Sequence, residues 1–250
     1  MRGAFHTQAG EGGGSVVTRL DPELREAVLR ANRALVESGL VMGTFGNVSA
    51  VDRSAGVFLI KPSGVPYEEL TPGHLVPVSL ETGQVVEGGL RPSSDTPTHL
   101  ELYRGFDCGG IAHTHSLYAT AFAQARRSIP CTGTTQADYF HGDIPVTRPL
   151  TRQEVEGDYE RHTGLVVVET FRERGIAAQE IPGALVANHG PFAWGVDPFA
   201  AVEHARVLEY LAHLEAIRFG LAPDGSRPAD FLIEKHYRRK HGRDAYYGQP

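Results

Sequence analysis

The stretch GGIAHTHSLYATAFAQA, residues 109–125, decides how the chain is read. Its first part, 109–114, is short and apolar, as a buried strand is. From Ser116 to Ala125 it is alanine-rich and opens on serine, a residue that favours helix N-termini. Between the two lies His-Thr-His. Residues i and i+2 of a strand face the same side, so His113 and His115 point into one cleft at the strand's end. A third histidine, His189, follows another apolar run, IPGALVAN at 181–188, and precedes Gly190. Two strands ending side by side would gather the three imidazoles. Three neutral nitrogen ligands with an open position are a pattern of catalytic metal sites, zinc above all. The plainer reading is three ordinary loop histidines, since the chain has 12. Their shared placement at strand ends speaks against it. Asp95, in RPSSDTPTH, is the candidate fourth ligand and equally a candidate helix N-cap.

Working outward, the chain alternates short apolar runs with helical patterns. Asp21 suits an N-cap, Pro22 the first helical position and Gly39 the end, with Leu24, Val28, Ala31 and Leu35 on one stripe. VFLI (57–60) and LVPVSL (75–80) read as strands. Further helices are expected at 96–105, from Thr151 toward Arg174 behind a Thr151/Glu154 capping box, at 198–220 and at 229–241. There is no repeat and no convincing linker. The expectation is one α/β domain over 20–250, a central mixed or antiparallel sheet flanked by helices on both sides. Residues 1–19 read as a flexible extension without the apolar core of a signal peptide.

Composition narrows the function classes. A net charge of −6 gives no electrostatic support for nucleic-acid or membrane-surface binding. Two cysteines, Cys108 and Cys131, make no disulfide framework and fit a reducing cytoplasm. No apolar run approaches the roughly 20 residues that cross a bilayer.

Two segments suit an anion. One is Gly46-Asn47 with Lys61, Ser63 and Gly64 of KPSG. The glycines let backbone approach a ligand, and Lys61 brings a full charge. The other is Ser93-Ser94, where exposed N–H groups and the helix dipole favour a phosphate. Each alone is also ordinary turn chemistry. There is no P-loop or dinucleotide fingerprint, so a nucleotide is not implied.

Taken together, GTFGNVSAVD, KPSGVPYEELT, RPSSDTPTHLELY, GGIAHTHSLYATAFAQA, TGTTQADYF, ANHGPFAWG and KHYRRKHGRDAYYGQ resemble the class II aldolase and ribulose-phosphate epimerase family, in family order over roughly residues 20–249. TGTTQADYF, HGPFAWG and the tail look like its epimerase branch. The resemblance implies zinc on His113, His115 and His189 with Asp95 beside them. It implies phosphate on Asn47, Lys61, Ser63, Gly64, Ser93 and Ser94, and a homotetramer with active sites between subunits. It marks Asp138 and Tyr247 as the acid/base pair. By themselves, Asp138 reads as a turn aspartate and Tyr247 as a tail aromatic. The implied reaction inverts a carbinol of a ketopentose 5-phosphate by breaking and re-forming C3–C4. Departures lie at Leu117 and Tyr118, where the epimerase branch commonly has a basic residue and a histidine, at ANHG, and at Asp95, where aldolases usually carry Glu. An aldolase that releases its fragments and a non-catalytic adducin-like module are the rival readings.

Overall fold

The computed structural model describes residues 21–243 and 245–247, and the expected extension at 1–19 lies outside them. Six strands form one sheet: β1 (Asn47–Asp52), β2 (Val57–Ile60), β3 (Val76–Ser79), β4 (Gly110–His113), β5 (Gly183–Leu185) and β6 (Pro191–Gly195). Their order is β3-β2-β1-β4-β6-β5. Every pairing is antiparallel, which resolves the mixed-or-antiparallel expectation. A parallel contact occurs as an isolated bridge between Val146 and Leu185.

Helices cover both faces because the strands are apolar on both. Val48, Ala50, Leu59, Ala112 and Ala193 turn toward α1 (Pro22–Glu37) and the first half of α7 (Pro198–Leu221). Their neighbours Phe58, Ile60, Ile111, Phe192 and Trp194 turn the other way. They meet Tyr103 of α2 (Thr96–Gly105), Phe106 just beyond it, and Val166, Val167 and Phe171 of α6 (Tyr159–Arg174). The Trp194 ring lies 4.8 Å from Phe106 and 5.2 Å from Phe171, and its indole N–H donates to the Ala178 carbonyl at 2.8 Å. Buried Asn32 ties α1 to β1: the Val48 N–H donates to its Oδ1 at 2.9 Å, and its Nδ2 donates to the Val48 carbonyl at 3.0 Å. The backbone next to Asn47 is thereby fixed. The remaining helices are α3 (Leu117–Gln124), α4 (Thr134–Ala137), α5 (Arg152–Glu156) and α8 (Asp230–His241). No helix among the described residues is long and apolar enough to cross a membrane. Cys108 and Cys131 are buried and unpaired with each other.

Two expectations change, and two strands lie outside the expected set. The single helix from Thr151 toward Arg174 is two helices. The Thr151/Glu154 capping box forms, but the helix stops at Gly157 and restarts at Tyr159. Arg148 bridges the break, with Glu154 at 2.8 Å and Glu169 at 2.7 Å. The 181–188 strand shrinks to three residues. β1 and β6 went unread because they open on residues with turn chemistry, Gly46-Asn47 and Gly190-Pro191. Proline is tolerated as the first residue of a strand.

Candidate metal and phosphate site

His113 ends β4, and its ring stacks on Phe192, its cross-strand partner in β6, at 4.1 Å between centroids. His115 lies two residues on, its ring 4.9 Å from that of His113. His189 sits in the turn joining β5 to β6, where Asn188 takes a positive φ of 64° and the Val186 N–H donates to the Gly190 carbonyl. The strand beside β4 is therefore β6, and the β5–β6 turn delivers the third imidazole. One ring nitrogen from each histidine falls within 4.8 Å of the other two. His113 is buried, His189 half-buried and His115 exposed, so the cluster opens to one side.

The donor set suits a divalent ion. The Nε2 atoms of His113 and His189 lie 3.2 Å apart and converge. The Nδ1 of His113 faces the Pro191 carbonyl at 2.9 Å, and a carbonyl only accepts, so Nδ1 carries the proton and Nε2 presents its lone pair. Burial, with His113 and His115 alongside, pushes the pKa of His189 down to about 4. Burial and His113 lower that of His115. Both are neutral at pH 7, the state a metal requires.

Asp95 stands at the N-cap position of α2 but makes no capping bond. Its Oδ2 instead accepts from Asn47 Nδ2 at 2.7 Å. Burial raises its pKa, yet His113, His99 and the Asn47 bond outweigh that and hold it below the usual carboxylate range. Asp95 lies outside the three-histidine group and beside it in the cleft. Asn47 also donates to Ser93 Oγ at 3.1 Å, so its amide hydrogens are committed and its buried Oδ1 has no partner.

The two anion-suited turns are joined by backbone bonds: the Ser63 N–H donates to the Arg91 carbonyl at 2.9 Å and the Ser93 N–H to the Lys61 carbonyl at 3.0 Å. Lys61 is buried, and burial lowers its pKa. Its Nζ donates to the Val65 carbonyl at 2.7 Å and lies 4.6 Å from the Tyr67 ring centroid, and no carboxylate among the described residues pairs with it. A buried cation without a counter-charge favours an incoming anion. Gly46 holds a φ of +88°, and a Cβ there would fall 2.8 Å from the His113 carbonyl oxygen. Only glycine lets this loop pass so close to the metal-binding strand. Gly46, Asn47, Lys61, Ser63, Gly64, Ser93, Ser94, Asp95 and the three histidines all line one cleft of about 340 Å³.

Asp138 and Tyr247 are not among the residues lining that cleft. Asp138 follows α4 and is held from α8. Arg239 reaches it with Nε at 2.9 Å and Nη2 at 2.7 Å, and His236 Nδ1 at 3.1 Å. Burial raises its pKa, but the Arg239 and His236 hydrogen bonds prevail and keep it low. The half-exposed Tyr247 ring lies 4.6 Å from the same Arg239 guanidinium.

Three groups in and around the cleft went unread in the sequence. His99 is one turn beyond Asp95 on α2, a spacing that places both on one face. Its Nδ1 meets Ser49 Oγ at 2.7 Å, and burial drives its pKa to about 3. Tyr67 donates to the Gly46 carbonyl at 2.7 Å. Tyr159, first residue of α6, places its hydroxyl 2.8 Å from His189 Nδ1. It lies there because α6 packs tightly on α2: a Cβ on Gly164 would come within 2.7 Å of the Thr98 carbonyl.

An antiparallel sheet whose strand ends gather three imidazoles beside a phosphate-suited cleft defines a class, and the comparisons agree. The model of the Class II Aldolase and Adducin N-terminal domain family matches residues 26–216, and the chain belongs to this family. Among solved structures, an L-fuculose 1-phosphate aldolase superposes with a TM-score of 0.72 at 26% identity, covering 87% of this chain and 95% of that one. The L-fuculose-1-phosphate aldolase of Thermus thermophilus gives 0.62 at 28%, covering 84% and 100%. In sequence the chain is more similar to the L-ribulose-5-phosphate 4-epimerase UlaF of Salmonella paratyphi C (strain RKS4594), at 51% identity over 228 residues, 91% of this chain and 99% of that protein. The protein of the same name from Salmonella choleraesuis (strain SC-B67) matches equally.

Proposed function

We propose that this protein is an L-ribulose-5-phosphate 4-epimerase that interconverts L-ribulose 5-phosphate and D-xylulose 5-phosphate by breaking and re-forming the C3–C4 bond. The observation that carries this reading is the meeting, in one cleft, of a three-imidazole cluster with a buried lysine that lacks a carboxylate partner. The 51% identity to UlaF proteins supports this substrate within the family.

C4 of a 2-ketopentose 5-phosphate bears no acidic C–H, but it is β to the carbonyl. Cleaving C3–C4 gives the enediolate of dihydroxyacetone and glycolaldehyde phosphate. Turning the aldehyde over before the bond re-forms inverts C4. A divalent ion, zinc in this reading and one per subunit, supplies Lewis-acid stabilisation of the enediolate when bound to His113, His115 and His189. Asp95 adds negative charge beside the imidazoles and holds Asn47 in place. Lys61, Ser63, Gly64, Ser93 and Ser94 retain the phosphate, so the aldehyde rotates without escaping. One proton donor or acceptor is needed on each face of the aldehyde, and Asp138 and Tyr247 are assigned to these roles. Both sit on the α4–α8 corner around Arg239, away from the cleft lining of their own chain. We therefore read the enzyme as a homotetramer in which this corner completes a neighbour's cleft. Free, buried cysteines fit a cytoplasmic setting.

The test is incubation with L-ribulose 5-phosphate, watching for D-xylulose 5-phosphate. The second reading, an aldolase that releases its fragments, draws on the structural likeness to L-fuculose 1-phosphate aldolase. It predicts free dihydroxyacetone and glycolaldehyde phosphate in place of the epimer.

A further inference from the structure

Lys61 follows β2 and is buried, and so is Tyr67, which opens the short turn Tyr67–Glu69 six residues later. A buried ammonium needs something to offset the water it has lost. A carboxylate partner would do this, but it would also cancel the charge that draws an anion and repel a phosphate. Lys61 is held in another way. Its Nζ donates to the Val65 carbonyl at 2.7 Å and to the Pro62 carbonyl at 3.3 Å. It also lies 4.6 Å from the centroid of the Tyr67 ring, within the range of a cation–π contact. An ammonium has three hydrogens to donate, and Lys61 lines the cleft, so one remains for an anion there.

The ring is itself fixed. The Tyr67 hydroxyl donates to the Gly46 carbonyl at 2.7 Å, in the loop that passes close to the His113 carbonyl. Tyr67 therefore ties the lysine turn to the loop on the opposite bank of the cleft, although it is not among the residues lining that cleft.

We propose that Tyr67 is a positioning residue whose ring stands in for a counter-charge, holding the Lys61 ammonium at the cleft without neutralising it, so that the charge stays available to a phosphate. The inference rests on the phosphate reading of this cleft and deepens it. A π face attracts the cation and carries no net charge to compete with the incoming dianion.

The test uses the full-length protein with Tyr67→Leu, with Tyr67→Phe, and with mono-, di- and trifluorinated phenylalanine at the same position. Fluorination drains the ring face of negative potential while nearly keeping the shape of phenylalanine, so this series does not depend on whether the leucine variant folds. Calorimetry gives the Kd for inorganic phosphate, and the epimerase assay gives KM and kcat for L-ribulose 5-phosphate. The phosphate Kd should rise stepwise with fluorination from the Tyr67→Phe value, and by about tenfold in Tyr67→Leu, within the worth of a desolvated cation–π contact. KM should rise in step while kcat holds, whereas a merely structural role would leave phosphate affinity flat along the series. A flat fluorination series, or a Tyr67→Leu protein with unchanged phosphate affinity, overturns the proposal and leaves the phosphate reading intact. Failure of the unsubstituted protein to bind phosphate overturns both.

Discussion

The cleft at the sheet's end and the α4–α8 corner are built in different ways. The cleft is assembled from the ends of β1, β4 and β6 and the start of α2. Backbone bonds between the 61–64 and 91–94 turns, the Asn32 bridge and the Gly46 approach fix its positions to within a side chain's reach. The corner is two helices, one of them four residues long, held by the ion pair between Arg239 and Asp138. The cleft gathers three imidazoles and a buried lysine, and neither Asp138 nor Tyr247 lines it. The corner gathers the Asp138 carboxylate and the Tyr247 phenol around Arg239. The contrast teaches where the proposed reaction would divide: metal and phosphate groups in the cleft, the proposed acid and base on the corner.

The largest effect separates the halves outright. His113→Ala should lose bound zinc and, with it, a Lewis acid worth several kcal/mol, or on the order of 10³-fold or more in turnover. Metal analysis beside the epimerase assay checks this, and an active zinc-free variant would dissolve the comparison. Next come Asp138→Asn and Tyr247→Phe. Each should cost about 10²- to 10⁴-fold in kcat, the usual worth of a positioned acid or base, with zinc content almost unchanged. Wild-type turnover in both would remove the corner from the chemistry. Lys61→Met should act on binding. Losing a charge-assisted bond of about 1.5–3 kcal/mol raises KM for the phosphate ester about 10- to 100-fold, while a non-phosphorylated pentulose is turned over as before.

The smallest effect concerns His99, the neutral base beside the cleft. Its folded pKa of about 3 lies below its unfolded value of 6.5. The unfolded chain therefore binds the extra proton. The contribution is fully present above pH 6.5 and falls away as pH drops toward 3, by up to about 1.4 kcal/mol per pH unit. Urea unfolding of zinc-free protein at pH 7 and pH 5.5 should show a steeper loss for wild type than for His99→Asn. Parallel curves would mean that His99 does not titrate as its burial implies.

The same two regions mark what could be read in the sequence. The histidines were legible because strand periodicity is short and exact spacing matters. Their partners were not. Asp95 reads as an N-cap until its carboxylate is seen accepting from Asn47, 48 residues away. Pro191 opens a strand while looking like a turn, and its carbonyl sets the tautomer of His113. Tyr159 was hidden inside an apparently continuous helical pattern whose break depends on Gly157. Asp138 and Tyr247 carry no periodic signal. They came from resemblance, and neither lines the cleft of its own chain. On the proposed reading their counterpart lies on another chain, and such residues leave no pattern within their own.

The proposed division of the active site between chains is tested most directly by subunit complementation. His113→Ala and Tyr247→Phe proteins, each inactive alone, are co-expressed with different tags, and the hybrid oligomers are isolated and assayed with L-ribulose 5-phosphate. A cleft from the Tyr247→Phe chain facing a corner from the His113→Ala chain holds every group, so activity should reappear in the hybrids. Hybrids as inactive as either parent would contradict a site shared between subunits.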